Sequence, residues 1–175
     1  MRVTKSIAML IFVSSMLSSG GVVFANAVYD NAMRLLDAKK YEEALAFLYP
    51  LGGRGNSDAN YLLGRIYYEG LGVPKNPRMA VILWENAANA GNSVALYQLA
   101  RSFELGEGTK QNYKKAMLIY KSFAETGMAD AQIRLGHMYL NGKGAPTNYK
   151  TGSKWITLAA MQGNAKAQTL LGSLY

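Results

Sequence analysis

Ala131-Gln132-Ile133-Arg134-Leu135-Gly136-His137-Met138-Tyr139-Leu140-Asn141-Gly142-Lys143-Gly144 places a small residue, a leucine, a glycine and an aromatic ring at fixed spacing, then closes on a Gly-x-Gly pair. Thirty-six residues earlier the same pattern stands as Ala95, Leu99, Ala100, Phe103, Gly106 and Gly108. One more period back it is Ala59, Leu63, Gly64, Tyr67, Gly70 and Gly72, and one period forward Ala167, Leu171, Gly172 and Tyr175. Gly55, Gly91, Gly127 and Gly163 form a further column at the same interval. Many columns in one register without insertion are the signature of a tandem repeat, and the period governs the fold.

Within one unit, Ala59, Leu63 and Tyr67 recur every four residues with Leu62 and Ile66 beside them, one apolar face of an amphipathic helix, here called A. Gly-Leu-Gly at 70–72 and the prolines at 74 and 77 end it. A second helix, B, is predicted to start after Asn76, a good N-cap with equivalents at Asn112 and Asn148, and to run to the neighbourhood of Gly91. An αα-hairpin of this size cannot bury its apolar face alone, so neighbours must stack into a solenoid. The expected fold class is all-α.

Residues 1–27 have the layout of a secretory leader: Arg2 and Lys5, an acid-free apolar run from Ile7 to Phe24, then Ala25-Asn26-Ala27. An uncleaved anchor is the competing reading. Serines and glycines in the run weaken it as a permanent span, so cleavage before Val28 and a periplasmic or secreted location are expected. The whole chain carries 19 basic and 11 acidic side chains, and removing the leader still leaves 17 basic ones against the same 11. No Cys is present, which excludes thiol catalysis, disulfides and Cys-ligated metals, and a single His, His137, excludes histidine pairs.

The Gly-x-Gly turns are not phosphate loops, because no strand precedes them and Walker spacing is missing. Neither a Gly-x-Ser-x-Gly elbow nor a His-Glu-x-x-His pair occurs, and Glu42 with Glu43, or Glu104 with Glu107, read as solvated surface rather than an acid–base pair. No enzyme, cofactor or metal site is therefore expected. Beside the packing face of helix A runs a second stripe: Tyr61, Arg65 and Tyr68, then Tyr97, Arg101 and Glu104, then Ile133, His137 and Leu140. Aromatic rings around Arg65 and Arg101 are residue types that anchor interfaces and fork onto carboxylates. The other reading of the stripe is packing between units. A basic column, Arg78, Lys114 and Lys150, opens each helix B, where cations oppose the helix dipole; solvated residues are its plainer account. The final 45 residues carry five basic side chains and no acid, yet no nucleic-acid module is recognisable, so no nucleic-acid partner is expected.

Ala131, Leu135-Gly136, Tyr139, Gly142 and Gly144, followed by Trp155, Ala159-Ala160 and Gly163, strongly resemble the Sel1-like repeat family, relatives of tetratricopeptide repeats with a longer, glycine-bearing turn. The resemblance implies a right-handed αα-hairpin solenoid: repeats over 57–92, 93–128 and 129–164, a lone helix A at 165–175, and a tetratricopeptide-like N-terminal cap at 28–56. It also implies that the stripe lines a concave face holding a protein or peptide segment, acidic in character, in an exported scaffold or adaptor. Small exported proteins similar to it include immunity proteins that neutralise phospholipase effectors of type VI secretion, which is the alternative function. An envelope-stress regulator or a β-lactam-binding enzyme follows less well, since the relatives tied to β-lactams are cysteine-rich and this chain has no Cys.

Overall fold

A computed structural model describes residues 21–173; the expected leader lies outside the described residues as far as residue 20. The described residues form helices α1 (Gly21–Asp37), α2 (Tyr41–Gly53), α3 (Ser57–Glu69), α4 (Pro77–Asn89), α5 (Ser93–Leu105), α6 (Tyr113–Glu125), α7 (Ala129–Leu140), α8 (Tyr149–Met161) and α9 (Ala165–Gly172). No strand occurs among them. Helices α3, α5, α7 and α9 are successive A helices, and α4, α6 and α8 are the B helices between them. The expected cleavage point before Val28 falls inside α1, a single continuous helix.

The three turns share their hydrogen bonds and differ at the end of helix A, where α7 is capped by Asn141 at φ −102° rather than by a left-handed glycine. Gly70 and Gly106 take left-handed φ of 76° and 75° as C-caps of α3 and α5. Inside the turn the N–H of Asn76, Asn112 and Asn148 donates back to the carbonyls of Tyr67, Phe103 and Tyr139 at 2.7, 2.7 and 2.8 Å. The same three asparagines then cap the B helices, their side chains accepting from the backbone N–H of Met79, Lys115 and Thr151. A second cap column that the sequence analysis did not single out, Asn56, Asn92 and Asn164, opens three of the A helices. In α7 its place is taken by Met128, which makes no side-chain cap bond.

Helices in substantial contact are neighbours in the chain, with α1 against α3 as the addition. The core is accordingly a row of clusters: Leu36, Leu48, Leu62 and Ile66 at one end; then Trp84 with Ala95 and Leu99; then Tyr120, Leu135 and Met138; and finally Ile133, Ile156 and Ala167. Each large apolar side chain buried here contributes about 1.5–3 kcal/mol, and each cluster is made by adjoining helices. This is an αα-hairpin solenoid, whose order is one-dimensional.

Small residues set the spacing. A Cβ on Gly64 would lie 2.4 Å from Trp84 Nε1, and one on Gly136 would lie 2.7 Å from Ile156 Cγ1 and 2.9 Å from the Gly152 carbonyl. Trp84, Tyr120 and Ile156 stand one period apart, so a large B-helix side chain faces a Gly, Ala or Gly of helix A in every unit. Between units the second turn glycine makes the approach. A Cβ on Gly108 would lie 2.2 Å from the Pro77 carbonyl oxygen, and one on Gly144 would lie 2.7 Å from that of Tyr113. Each Gly-x-Gly turn thus rests on the first residues of the preceding B helix.

Candidate functional site

The A-helix stripe divides into residues that hold the solenoid together and residues that remain available. Ile133 belongs to the first group: it is 2% exposed and packs with Ile156, Ala159 and Ala167. This corrects the expectation that it lines a binding surface; α8 and α9 cover this stretch of α7. Tyr61 is half-buried between the first two clusters, and its carbonyl accepts the Trp84 indole N–H at 3.2 Å. Tyr97 meets Tyr120 and Phe123 edge-on, with ring centroids 5.5 and 5.6 Å apart. For these two rings the packing reading describes the observed contacts. Burial pushes the hydroxyl pKa of both upward, so they stay neutral donors.

Tyr68 packs at a tilt against Trp84 with ring centroids 5.4 Å apart, donates its O–H to Glu107 in the next turn, and carries Lys75 over its ring. Glu104 ties three helices together: its Oε2 accepts from Tyr120 O–H at 2.8 Å and from Arg134 Nη1 at 2.9 Å, and the Arg134 guanidinium lies over the Tyr120 ring. Burial, with the Glu104 charge second, raises the Tyr120 hydroxyl pKa. Glu104 is therefore committed to α5, α6 and α7, and sequence spacing gave no sign of it because its partners stand 16 and 30 residues away.

The two arginines of the stripe differ. Arg65 Nε donates to Glu69 one turn on in α3 at 2.8 Å, and its Nη1 reaches Met33 Sδ at 3.6 Å. Arg101 has Leu105 where Arg65 has Glu69, and that leucine is 50% exposed. Its Nη1 donates to Gln98 at 3.3 Å, while its buried Nε has no hydrogen-bond partner among the described residues. His137 completes the row half-buried, its pKa lowered first by burial and then by Lys166, Arg134 and Lys143, against the opposing pull of Glu104.

What the stripe offers is hydrogen-bonding and cationic recognition. No group of three or more His, Asp or Glu suited to a metal occurs among the described residues. The described cavities are open recesses at the turns, of about 540 and 550 Å³, and neither encloses the stripe.

The Sel1 repeat matches residues 57–92, 93–127 and 129–164, more than half of the chain. The chain belongs to the Sel1 repeat family. Proteins of this family generally mediate protein–protein interaction and are typically non-enzymatic scaffolds. Among solved structures, a Sel1 repeat protein from Oxalobacter formigenes superposes with a TM-score of 0.71 at 34% identity, over 83% of this chain and 60% of its own. A protective antigen of uropathogenic Escherichia coli strains, displaying an SLR fold, gives 0.78 at 28% identity, over 86% of this chain and 33% of its own. The chain thus spans less than two thirds of either structure's length. No curated protein matches the chain.

Proposed function

We propose that this Sel1 repeat protein is an exported scaffold or adaptor that takes up a partner segment along its A-helix stripe, with Arg101 as the anchoring cation. The observation that carries this reading is the unpaired, buried Nε of Arg101. A buried donor left without an acceptor costs about 1–3 kcal/mol, and a partner carboxylate that displaces the groups covering Nε relieves that cost while forming a forked, charge-assisted pair. Arg65 offers less because Glu69 already neutralises it, so of the sequence-derived candidates Tyr61, Arg65, Tyr68, Tyr97, Arg101, Glu104 and His137, Arg101 leads. Tyr68 and exposed Leu105 flank it, suiting a segment that joins an acid to an apolar side chain. Export rests on the leader-like residues 1–27.

The test is affinity capture from an extract of the producing cell's envelope, with the wild-type chain beside Arg101→Gln and Arg65→Gln. A stoichiometric partner lost with Arg101→Gln and kept with Arg65→Gln supports the reading. A partner indifferent to Arg101 moves the site to another face. A secreted phospholipase as that partner would make the protein an immunity protein.

A further inference from the structure

Helix B carries, on the side away from helix A, a pattern that core packing leaves unused. Arg78, Lys114 and Lys150 open α4, α6 and α8 one period apart, all exposed. One helical turn further, on the same face, stand Ile82 at 46% exposure and Leu118 at 72%, and Tyr149 beside Lys150 is 71% exposed. The turns add Lys110 and Lys143, which line or adjoin the two recesses where each Gly-x-Gly turn meets the preceding helix B. None of these cations is in an ion pair among the described residues; the pairs found there are Lys40–Glu43, Arg65–Glu69, Lys121–Glu125 and Arg134–Glu104. Acidic side chains nearby are few. Glu107 is occupied by Tyr68 and Glu125 by Lys121, while Glu85, exposed one turn beyond Ile82, is an acid on the same face.

A row of cations alone would answer any polyanion. Ile82 and Leu118, aliphatic side chains held in water one turn from Arg78 and Lys114, with the Tyr149 ring beside Lys150, favour a partner that has hydrocarbon under its charge, and exposed apolar patches within a polar rim mark such contacts. We infer that the outer B-helix face, through Arg78, Lys114, Lys150, Ile82, Leu118 and Tyr149, docks the protein on an anionic phospholipid surface. The cations meet the phosphates and the apolar side chains enter the headgroup boundary. No helix among the described residues is long and apolar enough to cross a membrane, so the contact is peripheral, and it uses none of the A-helix stripe residues.

The experiment is co-sedimentation of the full chain with vesicles of equal parts phosphatidylglycerol and phosphatidylcholine, and with vesicles of phosphatidylcholine alone. The apolar N-terminus is common to every arm, so the comparison between variants isolates the patch. Each cation near such a surface is worth roughly fivefold in partitioning, so Arg78→Gln/Lys114→Gln/Lys150→Gln should lower binding to the anionic vesicles on the order of a hundredfold, with unchanged circular dichroism. Ile82→Ser/Leu118→Ser should lower vesicle binding while leaving retention on heparin as it was. Because the apolar run of residues 7–24 can bind either vesicle type, the reading is the excess of anionic over neutral binding, and an excess that the triple variant leaves unchanged, whether or not its retention on heparin or DNA falls, would overturn the inference.

Discussion

Gly136 has no room for even one carbon. A Cβ there meets the Ile156 side chain and the Gly152 carbonyl inside contact distance. Gly136→Ala should therefore destabilise, although alanine is favoured in a helix by about 0.8–1 kcal/mol, and Gly136→Leu should cost about 1–3 kcal/mol or more in urea unfolding. The Glu104 network predicts a contrast between arginines. Arg134→Met removes a charged hydrogen bond and should cost about 1.5–3 kcal/mol, whereas Arg101→Met removes an unsatisfied donor and should leave the melting temperature unchanged or raised. His137 has a native pKa below its unfolded value of about 6.5, so the native state binds its proton less readily than the unfolded chain. The stability it supports is present above about pH 6.5 and lost as pH falls through the lower native value, and His137→Gln should flatten that part of the stability profile measured by urea unfolding. Of these residue features, the contrast between Glu69 and Leu105 was visible in the sequence, since both stand four residues after an arginine. The burial of Arg101 Nε was not, because it depends on neighbours from other helices.

At the level of the element, the repeat makes its own control experiments. Asparagine caps α3, α5 and α9 through its side chain, and Met128 leaves α7 uncapped. Met128→Asn should stabilise the protein by about 0.5–2 kcal/mol and Asn92→Ala should cost a similar amount, both read from denaturant midpoints at constant slope. The helix pairs, their glycine ends and the B-helix caps were legible because each depends on local chemistry repeated every 36 residues. The A-helix cap column carried the same signal, asparagine at 56, 92 and 164, and was overshadowed by the glycines beside it. Ile133 was misread for another reason. Its position in helix A matches Tyr61 and Tyr97, but it is buried with α8 and α9 side chains, and no periodicity within a helix reports which neighbour covers it.

For the whole molecule, a core made of successive clusters means that stability is a sum of units and junctions. Excising residues 93–128 joins Asn92 to Ala129, keeps every column in register and gives α7 an asparagine cap. The shortened chain should remain helical and cooperative by circular dichroism, with a lower midpoint, while excision of half a period should abolish the cooperative transition. Such a chain has no Arg101, and it should fold yet lose its partner. Arg101, which the fold leaves without an ion-pair partner among the described residues, is expected to pair with a carboxylate of the partner. A double-mutant cycle measures this most directly: dissociation constants for wild-type and Arg101→Gln protein, each with the captured segment and with the same segment amidated at its acidic group. A coupling energy of about 1.5 kcal/mol or more is expected, as for close charge pairs at interfaces; losses that simply add would contradict the pairing of Arg101 with that carboxylate.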